Sequence, residues 1–504
     1  HNVVEMHRQV VYPDDLDLLL VELELLSTGR ERYSTICTIA GWGRIMKRSG
    51  LTAGAECSAI RMDHPDTLWA VSMRSVAKQK ADNVSGLLGE YSLKAFYESR
   101  SPKLPQGFLL RIGIDDFKDI NESHGNEYGD YILRRTAQCI EENIGSEQSL
   151  FHIVSDEFAV VDFSGGSVET AEKLFHEIKK SIYAFIEQNQ YKAVYTVSGG
   201  IVENGDVDNS FENAMKLSEF ALSQAKERGK NSCYVFEQKE YEDYLKSRTL
   251  LRQLHHAVNN GFEGFEAYFQ PLVNAANGEL TGAETLLRFH SPEGGMVSPG
   301  EFIPILEESG LIIPVGRWVL RQALDACREW QKILPEFKVN VNLSYVQVLK
   351  SRVLTDVRRI VDEFGVKPSS VCIELTESGY LEENERFDKV WNGLKEYGVL
   401  LALDDFGTGY SNLRCLSDLK PAYIKIDRSF TLKALNREYE YRLLNHIVEM
   451  SHSLGLHVCV EGIETEGELT KAKQTEPDYI QGFLFGKPCS RAEFTQKFFT
   501  KQAG

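Results

Sequence analysis

LALDDFGTG (401–409) and YIKID (423–427) share one layout, an apolar run that ends on charged residues. The layout recurs on both sides, in AETLLRF (283–289), VNVNLS (339–344), CIELTES (372–378), CVEGIET (459–465) and IQGF (480–483). The polar residues of these runs are, in order, Glu284, Asn342, Glu374, Asp404, Asp405, Lys425, Asp427, Glu461 and Gln481. Helix-like stretches separate the runs. Strand, polar tip and helix in repetition describe a βα barrel, whose active site gathers at the C-terminal ends of its strands. So many carboxylates converge in one mouth only if cations neutralise them. The pattern therefore points to a metal-dependent active site.

Residues two apart on a strand share a face. Lys425 and Asp427 therefore face one way and Ile424 and Ile426 the other, and Asn340 shares a face with Asn342. Asp404 and Asp405 close a strand, and Gly407-Thr408-Gly409 reads as a mobile loop beside the site. An acidic residue at a strand end is often only the N-cap of the next helix, a reading that fits Glu377 and Glu464 best. It does not explain seven consecutive strand ends bearing carboxylate, amide or ammonium groups. The donors are all oxygen, with Cys459 expected to face away from Glu461. Hard oxygen ligands favour Mg²⁺ or Mn²⁺ over zinc. Several bridging carboxylates favour a pair of ions, a common device for cleaving phosphate esters. One lysine among the acids suits orienting water or stabilising charge that develops on phosphate.

At 504 residues the chain exceeds one ordinary domain. Apolar residues at 42% and charged residues at 26% fit folded globular domains. No apolar run is long enough to span a bilayer, and no signal peptide is visible, so a cytoplasmic protein is expected. The net charge of -18 and the lack of a basic stripe argue against DNA or another long nucleic acid as partner. The nine cysteines are scattered and none forms CxxC, which suits free thiols. The chain starts at His1 rather than Met, and reads as a piece of a longer protein with a sensory or membrane segment upstream.

Four regions follow. Residues 1–80 open with the Pro13-Asp14-Asp15 turn and an amphipathic helix, then ERYSTICTIA and LWAVSMRSV alternate like strands. Residues 81–236 mix strands (FLLRIGID, FHIVSDEFAVVDF, AVYTVSGGIV) with helices (AQCIEENI, FALSQAKERGKN), as an α+β domain with a central sheet does. Residues 237–262 place Tyr244, Leu250, Leu251, Leu254 and Val258 near helical spacing, as in a connecting helix. Residues 263–504 hold the barrel.

ETLLRF, NVNLS, ELTES, DDFGTGYSNL, KIDRSF, EGIET and QGFLFGKP, in this order, resemble the EAL family of cyclic-di-GMP phosphodiesterases over nearly all of 263–504. The resemblance implies a modified TIM barrel that opens the cyclic dinucleotide to linear pGpG with two Mg²⁺ or Mn²⁺ ions. It implies metal ligands at Glu284, Asn342, Glu374, Asp404, Asp405 and Asp427, and handling of the nucleophilic water by Lys425 and by Glu461 close to the metals. Gln270, Arg288 and Gln481 resemble substrate-pocket residues, and Glu377 the residue that holds the DDFGTG loop. The name-giving triplet reads Glu284-Thr285-Leu286, with Thr for Ala, and Phe289 stands where the family often has Trp. The glutamate is what the chemistry needs, so activity is expected to survive. EAL-like barrels often pair through their sides, which implies a homodimer.

IDDFKDINESHGNEYGD, SDEFAVV, VSGGIV and AKERGKN give 85–236 a resemblance to the GGDEF family, which makes cyclic-di-GMP from GTP. Val154 and Ser155 replace the two glycines of its signature turn, and Gly113 stands where a metal-binding Asp is expected. Gly145-Ser146-Glu147-Gln148 replaces the product-inhibition motif. These changes argue against cyclase activity. Asn121, Asp130, Asp156, Glu157, Lys226 and Lys230 remain as candidate GTP contacts, so the domain reads either as a relic spacer or as a GTP-binding regulator. The first 80 residues weakly resemble part of a PAS sensory domain. The whole is thus expected to be a multidomain α/β phosphodiesterase. The alternatives are a receptor that captures the dinucleotide without cutting it and, disfavoured by Gly113, a bifunctional enzyme.

Overall fold

The computed structural model describes residues 55–61, 69–75, 82–99, 106–189, 194–207, 210–376, 385–407 and 413–500. The chain divides into two compact units, 1–242 and 243–504. Among the described residues no helix is long and apolar enough to cross a membrane.

In the first unit, β1 (Ala55–Arg61) and β2 (Trp69–Ser75) form an antiparallel ladder. The strand expected in LWAVSMRSV falls on β2, whereas the Pro13 turn, its helix and ERYSTICTIA lie outside the described residues, as does nearly all of the PAS-like segment. A second sheet is ordered β4-β5-β3-β6-β7, with β3 (Phe108–Ile114) at its centre. Its other strands are β4 (Gln148–Val154), β5 (Glu157–Asp162), β6 (Val197–Glu203) and β7 (Cys233–Val235). Every residue of β3 is buried, because helices cover both faces. Phe108, Leu110 and Ile112 pack with residues of helices Asn126–Glu141 and Val168–Gln188. Leu109 faces the layer of helices Glu90–Glu98 and Phe211–Glu227. This is the helix–sheet–helix arrangement that the alternation of elements predicts.

The second unit closes a barrel. Its strands are β8 (Phe265–Asn274), β9 (Leu280–Ser291), β11 (Lys338–Asn342), β12 (Val371–Thr376), β13 (Leu400–Phe406), β14 (Tyr423–Ile426), β15 (His457–Val460) and β16 (Tyr479–Gln481). From β9 to β16 all neighbours run parallel. β8 runs antiparallel to both β16 and β9 and completes the ring. That reversed strand is what modifies the TIM topology. The short β10 (Gly295–Val297) and β17 (Cys489–Ser490) pair on β9 and β8 outside it.

Helix Gln238–Asn259 occupies the region read as a connector. Leu254 and Ala257 are buried in the barrel core, with Leu250 and Val258 packed against it, so part of the expected apolar stripe belongs to this domain. Two local expectations need correction. The helix after β15 is capped by Thr465, not Glu464: Thr465 and Glu468 form a capping box, and Glu464 instead pairs with Arg428. Cys459 lines the same interior cavity as Lys425, because residues 459 and 461 are two apart and share a face.

Candidate active site

Strand register brings the polar tips together. Gln270 pairs with Glu284 across β8 and β9, and Asn342 pairs with Glu374 across β11 and β12. Thr376 aligns with Asp404. Ligand oxygens of Glu284, Glu374 and Asp404 lie within 4.8 Å of one another, all three residues buried. Lys425 enters the same space from β14. Its Nζ is 3.2 Å from Glu284, 3.0 Å from Glu374, 3.4 Å from Asp404 and 2.8 Å from Glu461. One ammonium thus faces four carboxylates.

Neutral amides tie the acids down. Asn342 Nδ2 donates to Glu284 Oε1 at 2.9 Å, and Gln481 Nε2 donates to Glu284 Oε2 at 2.7 Å and to Gln270 Oε1 at 3.1 Å. One layer below Asn342, Asn340 Nδ2 donates to Glu374 Oε1 at 2.7 Å. Gly482 must be glycine here, since a Cβ would stand 2.0 Å from the Ile463 carbonyl oxygen. That contact seats Gln481 against the β15 end.

Charge is short in this pocket. Burial pushes Glu374 well above the ordinary carboxylate range, with only Lys425 opposing and Glu284, Asp404 and Glu461 adding to it. Burial and the same crowd of acids raise Asp404 and push Glu461 to about 8, again against Lys425. Burial raises Glu284 too, but Lys425 and the amides of Gln481 and Asn342 outweigh it and hold the group below its usual range. Burial would lower Lys425, yet the four carboxylates hold its ammonium far above the usual value. Among the described residues Glu374 Oε2 is buried without a hydrogen-bond partner. An orphaned carboxylate oxygen in an all-oxygen donor set fits a hard divalent cation, Mg²⁺ or Mn²⁺.

Asp404 and Asp405 are adjacent, so strict alternation would send them to opposite faces. The strand avoids this with an irregularity between Leu403 and Phe406, where Asp405 takes a left-handed φ of 58°. Burial and then the charges of Asp404 and Asp427 push Asp405 to about 6, so the three acids share one field. Asp427 also caps helix Arg428–Asn436, its Oδ1 accepting from Ser429 N at 2.7 Å. Cap and candidate ligand are one residue. Arg288 stands apart: it covers the Tyr268 ring at 5.6 Å and donates to the Leu287 carbonyl. Glu377 and the Thr408-Gly409 part of the loop lie outside the described residues.

The candidate nucleotide residues of the first unit look different. Glu157 accepts from the buried Arg111 at 2.6 Å, Asp156 lies 3.8 Å from Lys226, and Lys230 donates to Asp116 at 2.7 Å. Asn121 Oδ1 abuts the backbone of Gly129 so closely that a Cβ there would stand at 1.9 Å. The Asp130 carbonyl accepts from Arg134. A Cβ at Gly113 would be 2.9 Å from Lys226 Nζ, so an ammonium leans toward the place where a metal-binding carboxylate was expected. Among the described residues the one cluster of acids suited to a metal is in the barrel. The sequence reading missed Arg111 and gave Asn340 no role. An arginine inside the apolar run FLLRIGI was the available signal for the first.

Residues 82–232 match the diguanylate cyclase GGDEF domain family and residues 251–488 the EAL domain family. An uncharacterized protein, y4lL, of Sinorhizobium fredii is 33% identical over 81% of this chain and 49% of its own length. The bifunctional diguanylate cyclase/cyclic di-GMP phosphodiesterase MucR of Pseudomonas aeruginosa is 29% identical over 75% of this chain and 55% of its own. The solved structure of PaMucR phosphodiesterase in complex with c-di-GMP is 32% identical, covers 49% of this chain and 99% of that one, and has a TM-score of 0.46. The chain spans about half the length of the curated relatives it matches. With the two domain families matched in tandem, the chain belongs to the GGDEF–EAL family.

Proposed function

We propose that the barrel hydrolyses cyclic-di-GMP to linear pGpG in a metal-dependent reaction. The observation that carries this reading is the set of four carboxylates around one ammonium, with a buried Glu374 oxygen left unpartnered among the described residues. Glu284, Asn342, Glu374, Asp404, Asp405, Asp427 and Glu461 would hold two Mg²⁺ or Mn²⁺ ions. When bound, such ions lower the pKa of water and neutralise phosphate charge.

The chain's own residues do the rest. Glu461, 2.8 Å from Lys425 Nζ, takes the proton of the attacking water. Lys425, ionised throughout, presents positive charge to the phosphate as negative charge develops. Gln481 fixes Glu284 directly, and Gln270 in turn holds Gln481. Arg288, over the Tyr268 ring, offers a guanidinium to a dinucleotide phosphate or base edge.

The GGDEF-like unit is proposed as a non-catalytic regulator that binds GTP through Lys226, Lys230 and neighbouring groups. The pairing of Glu157 with Arg111 supports the loss of cyclase chemistry. A homodimer and a cytoplasmic location complete the proposal. The test is chromatographic: purified chain, cyclic-di-GMP and Mn²⁺ or Mg²⁺, with and without GTP, following pGpG. Metal-dependent pGpG is the expected result, faster or slower with GTP. Tight dinucleotide binding without pGpG would make the barrel a receptor.

A further inference from the structure

We propose that Asn340 is the positioning residue of the acidic cluster: its amide orients Glu374 so that one carboxylate oxygen stays available to a divalent cation. This rests on reading the barrel as a metal-dependent site. Asn340 lies on β11 two residues before Asn342, on the same face, and is buried. Its Nδ2 reaches Glu374 Oε1 at 2.7 Å, and Lys425 Nζ approaches that same oxygen at 3.0 Å. Both donors converge on Oε1, while the buried Oε2 has none among the described residues.

A carboxylate can swap its two oxygens by rotating about its last bond, so a fixed donor is needed to keep one oxygen down and the other free. Lys425 is ill suited to that task alone. Its three protons are shared among four acids. The Asn340 amide, among the described residues, donates to Glu374 and to no other acid. It also adds a directional donor without adding charge to a pocket already crowded with it. The amide's own orientation is fixed, since its carbonyl oxygen turned toward the carboxylate would be repelled. Asn340, Lys338, Cys372, Tyr423 and Tyr479 line part of a cavity of about 20 Å³, room for one water.

The test measures Mn²⁺ binding directly, by the paramagnetic resonance signal of free Mn²⁺ over the full chain, for wild type, Asn340→Ala, Asn340→Leu and Glu284→Ala. Asn340→Leu keeps the side chain's shape and removes the donor, which guards against a folding defect in the smaller variant. Both Asn340 variants are expected to bind Mn²⁺ about ten- to a hundredfold more weakly. The Mn²⁺ concentration for half-maximal pGpG formation should rise in step, with kcat largely restored at saturating Mn²⁺. A role in packing alone would lower the melting temperature in EDTA and leave Mn²⁺ affinity unchanged. Unchanged affinity in both variants overturns the proposal. If the wild-type chain binds no Mn²⁺ while Glu284→Ala behaves identically, the reading of the site itself falls and this inference with it.

Discussion

The barrel and the GGDEF-like unit both gather carboxylates, and they treat them in opposite ways. In the GGDEF-like unit four acids each have a partner of their own. Glu157 is held by Arg111, Asp116 by Lys230, and Asp156 lies near Lys226. Asp115, fully enclosed, accepts from Thr196, Ser198 and the Asn231 backbone. In the barrel four acids share Lys425. A buried charge with a partner is architecture; a surplus of buried charge is a standing demand for a cation from outside. The same residue types therefore carry different meanings, and the local balance of charge separates them.

The largest effect that would test this contrast is on turnover. Glu284→Ala or Asp404→Ala should cut pGpG formation by about a thousandfold or more, by removing metal. Glu157→Ala should leave the rate within about twofold when GTP is absent, because its carboxylate serves Arg111. Metal-dependent turnover surviving in either barrel variant would show the wrong acids have been assigned.

Stability should move the other way. Glu157→Gln leaves Arg111 buried with a weakened partner and should cost the GGDEF-like unit about 3 kcal/mol, read as faster hydrogen exchange in the β3 and β5 peptides. Glu374→Gln removes a charge that the metal-free barrel tolerates poorly, so its melting temperature in EDTA should rise while Mn²⁺ binding is lost. Destabilisation by both would mean that the barrel acids are also ordinary structural pairs.

Acidity gives a smaller, graded test. Asp405 and Glu461 are pushed up to about 6 and about 8 in the folded barrel. Between an ordinary carboxylate value and those values the folded state keeps protons that the unfolded chain has lost, so stability falls as pH rises through this window. Glu284, held low, works in the opposite sense and withdraws stability only in acid. The metal-free barrel should therefore melt lower at pH 8 than at pH 6. The stabilisation added by Mn²⁺ should grow over the same interval, with protons released on binding. Calorimetric titrations in buffers of different ionisation enthalpy would measure that release. An Mn²⁺ effect independent of pH would mean the raised groups do not meet the metal.

How much of this was legible beforehand depended on range in sequence. A strand that ends in a polar residue announces itself within five residues, so the barrel and its ring of tips could be read from CIELTES or YIKID. Which side each tip faces could not always be read. Asp405 turns beside Asp404 because of a strand irregularity and a left-handed φ, and an acidic pair does not encode that. The cap after β15 sits at Thr465 because a Glu lies three residues on, a signal that was present in TEGE and passed over. Glu157 looked free because its partner is 46 residues away. Asn340 looked like a repeat of Asn342 until the register set it beside Glu374.

The smallest prediction concerns two orphaned atoms on β12 and β9, the strands either side of β11. Glu374 Oε2 and Thr285 Oγ1 are both buried without a hydrogen-bond partner among the described residues. Glu284 points into the barrel, so Thr285 next to it points out, into the layer between strands and helices, where no cation is called for. Its hydroxyl is therefore a cost without a use, at the position where the family triplet has alanine. Thr285→Val keeps the shape and removes the hydroxyl, and should stabilise the barrel by about 1 kcal/mol, with pGpG formation within about twofold of wild type. Thr285→Ala removes the same hydroxyl but also a buried methyl worth about 0.8 kcal/mol, so its gain should be nearly cancelled. If valine stabilised no more than alanine, the Thr285 hydroxyl would have a partner after all. The orphaned oxygen of Glu374 would then need the same scrutiny before it is given to a metal.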